Sequence, residues 1–182
     1  MLFRSKSLNE YILKIKNAIA KKGISVKYDD DDQTKPGWKF AEYELKGVPV
    51  RIAVGPRDME NQTVEVARRD TKEKSTMQVT DIDLKIEHLL EQIQENIFKK
   101  ALDFRDNSTY NADTMEELTE ILDNKGGFVY AHWDGTDETE TKIKEQTKAT
   151  IRCIPLNNKQ EEGKCILTGN PSKQRVLFAR AY

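Results

Sequence analysis

Cysteine is scarce in this chain. Of its 182 residues two are cysteine, Cys153 and Cys165, too few for a disulfide framework, and a reducing cytoplasm is the expected compartment. A surplus of charge of one sign is also missing. Lys+Arg is 30 and Asp+Glu 31, for a formal net charge of -1. There is no global field for bulk binding to a polyanion such as duplex DNA, so any nucleic-acid site must be a local patch. Long apolar runs are absent: no stretch approaches the ~20 residues that cross a bilayer. The N-terminus, MLFRSKSLNE, has no apolar core of a secretion signal. Charged residues make up 34% and mean hydropathy is -0.75, which fits a solvated protein with a modest core rather than a membrane one. The length suffices for one good core or two small ones.

Against that background the stretch from Pro36 to Lys74 stands out. It sets Trp38, Phe40 and Tyr43 among Lys39, Lys46, Arg51, Arg57, Arg68 and Arg69, with Glu42 and Glu44 interleaved. Rings stack on unpaired bases, cations hold phosphate, and a carboxylate accepts from a guanine edge. So small and mixed a cluster suits a few splayed bases of single-stranded RNA.

Periodicity places this window in an α/β protein. Leu8, Ile12, Ile15 and Ile19 form one helical stripe, with Ser7 and Glu10 as a capping box and Gly23 as the stop. Ile24, Val26 and Tyr28 alternate as a strand ending in the acidic run Asp29 to Asp32, read as a solvated junction. Trp38 to Lys46 is a short helix; Val48, Val50, Ile52 and Val54 give a period-2 strand face. Strands follow at Val64–Val66 and Met77–Val79. A long helix from about 82 to 104, capped by Thr80 or Asp81, carries Ile82, Ile86, Leu89, Ile93 and Ile97. A second unit, 112–182, holds a helix capped by Asp113 and Glu116, a strand from Phe128 to Trp133, a polar helix from Asp137 to Lys148, and strands at Thr150–Ile154 and Arg175–Arg180. The expectation is a layered α/β/α domain with a mixed sheet over 1–103, followed by a small α+β domain.

GWKFAEYELKGVPVRIAVGPRD followed by VEVARRDT resembles the anticodon-binding domain of prolyl-tRNA synthetases of the archaeal and eukaryotic type, class II aminoacyl-tRNA synthetases. GGFVYAHWDG, KEQTKATIRCIP, GKC, TGNP and the terminal RVLFARAY resemble that subgroup's extra C-terminal domain. The resemblance implies recognition of the proline-tRNA anticodon loop, whose second and third bases are guanines. It makes Phe40 a stacking surface, Glu44 an acceptor for a guanine Watson–Crick edge, and Arg51 and Arg57 donors to base or phosphate. Guanine N1 and N2 suit a carboxylate, and O6 and N7 suit arginine. Lys39, Arg68 and Arg69 are open between phosphate contact and structural pairing. The catalytic core of such enzymes, which uses ATP and magnesium in a homodimer, has no counterpart here. The chain is therefore expected to be a C-terminal part that binds RNA without activating proline, and the missing catalytic domain of the same protein is an expected partner.

The resemblance carries three further expectations. Many members hold zinc on four cysteines in the C-terminal domain; the matching positions here are Asp134, Thr139, Cys165 and Thr168, so no zinc is expected. The terminal tyrosine carboxylate, here Tyr182, points toward the catalytic domain in the family. A hydrophobic strand precedes the first helix in the family and lies between the strands assigned to Ile24–Tyr28 and Val48–Val54; here Met1-Leu2-Phe3 alone stand before Arg4. Either the neighbouring strands close up, the unit is loosened, or another chain completes the sheet. Two other readings stay open on the residues: a freestanding synthetase-derived RNA-binding or regulatory protein, and a protein-interaction domain without RNA contact.

Overall fold

The computed structural model describes residues 6–158 and 160–181; Met1-Leu2-Phe3 and Tyr182, with what was expected of them, lie outside these. The chain divides into two compact units, Met1–Lys100 and Ala101–Tyr182.

The first unit holds α1 (Lys6–Ala20), α2 (Pro36–Leu45), β1 (Val50–Ala53), α3 (Pro56–Asn61), β2 (Thr63–Arg68), β3 (Lys74–Gln78) and most of α4 (Ile82–Asn107). The strands pair in the order β1-β2-β3, each ladder antiparallel. Register explains the layers. Val64 and Val66 of β2 share a face with Ile52 and Met77, and that face takes Ile15 and Ile19 of α1 and Ile82, Ile86, Leu89 and Ile93 of α4 into one buried cluster. The alternate residues, Arg51, Ala53, Glu65 and Ala67, point to the opposite face. There Arg51 meets Phe40 of α2, so helices stand on both sides of the sheet.

Several expectations need correction. Ile24–Tyr28 joins no ladder among the described residues. Ile24 and Val26 still pack against the core, so the alternation reports burial and not backbone pairing. Without that segment the ladders of this sheet are antiparallel, and the parallel ladder lies in the second unit. Ser7 lies inside α1 rather than at its cap. At the start of α4, Asp81 takes a φ of 55° and its carbonyl accepts from Lys85 N–H at 3.0 Å, and among the described residues neither Thr80 nor Asp81 makes a side-chain cap bond.

The second unit holds the end of α4, β4 (Thr109–Ala112), α5 (Met115–Asn124), β5 (Phe128–His132), α6 (Asp137–Thr147), β6 (Ala149–Cys153), the short pair β7 (Gly163–Lys164) and β8 (Pro171–Ser172), and β9 (Arg175–Arg180). Its mixed sheet runs β4-β5-β9-β6, with β4 parallel to β5 and β9 antiparallel to both neighbours. Leu118 and Leu122 of α5 and Ile143 of α6 bury one face with Val129, Ala131, Val176 and Phe178. Thr114, not Asp113, caps α5: its hydroxyl accepts from Glu117 N–H, and the Glu117 carboxylate accepts from Asp113 N–H at 2.7 Å. Gly127 is required where β4 and β5 converge. Its φ is 83°, and a Cβ there would stand 2.2 Å from the Ser108 carbonyl oxygen.

Candidate nucleic-acid interface

The recognition cluster is assembled by α2, β1 and the β2–β3 turn. Pro36 starts α2 at its first position, where no N–H is needed, and Gly47, at φ 82°, follows its end. Phe40 and Glu44 are four residues apart and so share one helical face. Arg51 rises from β1 toward that face: its guanidinium carbon lies 3.5 Å from the Phe40 ring centroid, a stacked cation–π contact. One guanidinium nitrogen, Nη1, is buried without a hydrogen-bond partner. Glu65 Oε1 is 3.8 Å from it, an ion-pair distance too long for a hydrogen bond. The Glu44 carboxylate pairs with Lys72. Arg69 stitches the parts together, donating through its backbone N–H to Pro49 O and through Nε to Glu44 O, both at 2.9 Å.

Of the three groups central to the expectation, Phe40 and Arg51 are in direct contact, and Glu44 stands one helical turn beyond Phe40 with its carboxylate on Lys72. Arg57 lies in the first turn of α3; it is exposed and makes no hydrogen bond or ion pair among the described residues. The other cations have structural duties. Lys39 donates to Asp29 Oδ1 at 2.6 Å and to Asp31 O. Arg68 grips Asp70 with Nε at 3.0 Å and Nη2 at 2.7 Å, and Asn96 of α4 donates to the same carboxylate at 2.6 Å. The Arg68 hydrogen bonds hold the Asp70 carboxyl far below the usual carboxylate range against the opposing effect of burial. Arg69 keeps an exposed side chain besides its bond to Glu44.

Two side chains missed from sequence belong to this region. Asp29, the first residue of the acidic run, is no solvated junction. It accepts from Lys39 and from the Tyr43 hydroxyl at 2.9 Å and so anchors α2, and the Lys39 hydrogen bond is the main cause of its lowered pKa. Glu65 faces Arg51 only through strand register, which the spacing does not reveal.

In the second unit the structure gathers Asp134, Thr139 and Thr168, with Cys165 in the same loop as Thr168. Asp134 Oδ2 accepts from the Thr168 hydroxyl at 2.8 Å, the Thr139 hydroxyl at 3.1 Å and the Asn170 amide at 3.3 Å. Its Oδ1 accepts from the Thr136 hydroxyl at 3.0 Å. Burial pushes the Asp134 carboxyl up, but the hydroxyls of Thr168 and Thr136, the Thr136 N–H and the Thr139 hydroxyl together outweigh it and bring the pKa to about 2. Buried Cys165 closes the loop through its own backbone, accepting from Gly169 N–H and donating to Asn170 O. A tetrahedral zinc site takes four nitrogen, sulfur or carboxylate ligands. One thiol, one carboxylate already saturated by donors, and two hydroxyls do not fit that ion. Among the described residues no group of three or more His, Cys, Asp or Glu is placed to hold a metal.

Comparison with known proteins agrees with this division. The family described as "Anticodon binding domain" matches residues 3–96, and "Prolyl-tRNA synthetase, C-terminal" matches residues 115–182. A proline–tRNA ligase of Porphyromonas gingivalis is 58% identical over 175 residues, covering 96% of this chain and 35% of the relative. That of Parabacteroides distasonis is 62% identical over 160 residues, covering 88% of this chain and 32% of the relative. The chain thus spans about a third of the length of these curated relatives. The crystal structure of prolyl-tRNA synthetase from Cryptosporidium parvum, complexed with L-proline and AMP, superposes with a TM-score of 0.92 at 33% identity over 98% of this chain and 38% of that one. With an anticodon-binding unit, the matching C-terminal unit and relatives of one kind, the chain belongs to the prolyl-tRNA synthetase family.

Proposed function

We propose that the α2–β1 surface reads guanines in the anticodon loop of proline tRNA, as the C-terminal part of a class II proline–tRNA ligase. The observation that carries this reading is the contact of Arg51 with the Phe40 ring, with Glu44 one turn along the same helix. A flat ring, a planar five-donor cation and a carboxylate are the groups that distinguish a guanine from other bases: stacking, donation to O6 and N7, and acceptance from N1 and N2. The exposed guanidinium of Arg57, without a partner among the described residues, supplies a phosphate or base contact. Arg69 can add one from its exposed end, while Lys39 and Arg68 hold the scaffold on which the site rests.

Ligation of proline to tRNA, with ATP and magnesium, is assigned to the longer protein, through a catalytic domain that pairs with this part and forms the homodimer usual in the family. A cytoplasmic location goes with that activity; no described helix is long and apolar enough to cross a membrane. The second unit is assigned a metal-free role, its Asp134 knot standing where relatives use zinc, and elemental analysis of the purified chain should find no stoichiometric zinc. Nuclease footprinting of full-length proline tRNA tests the main reading. The chain should protect the anticodon loop and leave the acceptor stem open. Protection elsewhere, or none at concentrations where binding is complete, contradicts it.

A further inference from the structure

We infer that Glu65 is a positioning residue for Arg51, holding the guanidinium flat over Phe40 so that its free edge meets the base. The inference rests on the anticodon reading above. Arg51 stands opposite Ala67 in the β1–β2 ladder, and Glu65 stands opposite Ala53. Two alanines at the crossed positions leave the outer face of the sheet low, so the two long side chains lean diagonally toward each other. Glu65 Oε1 reaches 3.8 Å from Arg51 Nη1 and 3.4 Å from Lys74 Nζ on β3.

The position of Nη1 argues for a role. It is buried and has no hydrogen-bond acceptor, so Arg51 meets the base with the remainder of the guanidinium. A buried, positively charged nitrogen with no acceptor is costly unless an opposite charge is close, and Glu65 supplies that charge from below while the Phe40 ring supplies its negative face from the side. Removing the carboxylate leaves the stacked pose without its counter-ion. The guanidinium then turns toward water, and the ring and cation no longer present one surface.

The test uses Glu65→Gln, nearly isosteric, and Glu65→Asp, which keeps the charge with a shorter reach. The first readout is the Arg51 Nε–H resonance in the unliganded chain, displaced by the Phe40 ring current. E65Q should move it toward that of an unstacked arginine, with E65D in between. The second is the ratio of dissociation constants for anticodon stem-loops carrying guanine or adenine at the second and third anticodon positions. E65Q should reduce that ratio on the order of fivefold to twentyfold, a fraction of one bidentate contact. In an Arg51→Ala background E65Q should change it no further.

An unchanged Arg51 resonance in E65Q overturns the inference, as does a loss of discrimination that persists equally in the Arg51→Ala background. A wild-type chain that discriminates beside an E65Q chain that does so equally well overturns the inference alone. A wild-type chain that binds all anticodons alike overturns the anticodon reading and this inference with it.

Discussion

The two units differ in the polar side chains they leave unsatisfied, although the first also holds a closed Arg68–Asp70–Asn96 network. In the second, the carboxylate of Asp134 collects three threonine hydroxyls and an asparagine amide, and Arg175 is shared among Glu161, Asp113 and the Ala112 carbonyl. In the first, Arg51 keeps a buried nitrogen without an acceptor, Arg57 pairs with nothing described, and Trp38 is 62% exposed. A saturated network rigidifies a fold, whereas a buried donor without an acceptor calls for an explanation, and a ligand can be one. The contrast is the one the proposed function calls for, with RNA read on the first unit and the second unit held by its own network.

The comparison is sharpened first by Phe178→Ala. Phe178 is fully buried in the second unit, and its truncation should cost about 3–5 kcal/mol. Thermal unfolding followed through Trp133 in a Trp38→Phe background reads that unit, and anticodon discrimination of Phe178→Ala with Trp38 retained should be unchanged at low temperature. Next in size is Arg51→Ala, expected to remove about 1–3 kcal/mol of guanine discrimination while leaving the melting of the second unit in place. Equilibrium binding to matched stem-loops measures it, and an equal loss for all sequences would break the assignment of Arg51 to base reading.

Acid separates the units in another way. The Asp134 pKa is depressed in the folded state to about 2. Its stabilising contribution is therefore fully present above the ordinary carboxylate value of about 4 and is lost as pH falls through that window toward about 2. Asp134→Asn should flatten that acid limb for the second unit, leaving the part due to Glu161, whose pKa is lowered chiefly by its hydrogen bonds from Arg175. Unfolding midpoints between pH 5 and 2, again through Trp133, check it. The smallest effect expected is that of Arg57→Ala: a nearly uniform weakening across RNA sequences, with the salt slope of binding reduced by about one.

Much of this organisation was legible in the chain. The stripes of α1 and α4 and the alternation in β1 and β2 marked the buried face of the first unit, because one sheet face and two helices bury the same residues; Val48 and Ile97, at the ends of their patterns, are exposed. The contact between Phe40 and Arg51 was legible because a helix and the next strand bring neighbours in sequence together. What escaped depended on distance. α3 is six residues long and β7 and β8 two each, too short to show a period. β4, Thr109–Ala112, is half polar and becomes a strand by pairing with β5. Ile24–Tyr28 alternates like a strand but only packs. Glu65 lies fourteen residues from Arg51 along the chain and reaches it through ladder register, and Asp29 reaches Lys39 and Tyr43 across a turn. Side chains that meet across the fold were thus harder to find than those brought together by neighbouring elements.

The central claim is tested most directly by titrating this chain, at one fixed salt concentration, with anticodon stem-loops that differ only in guanine or adenine at the second and third anticodon positions. Tighter binding of the guanine form, on the order of tenfold or more, that disappears in both Glu44→Ala and Arg51→Ala is the predicted result. Equal affinity for both forms, or a preference that survives both substitutions, contradicts the account.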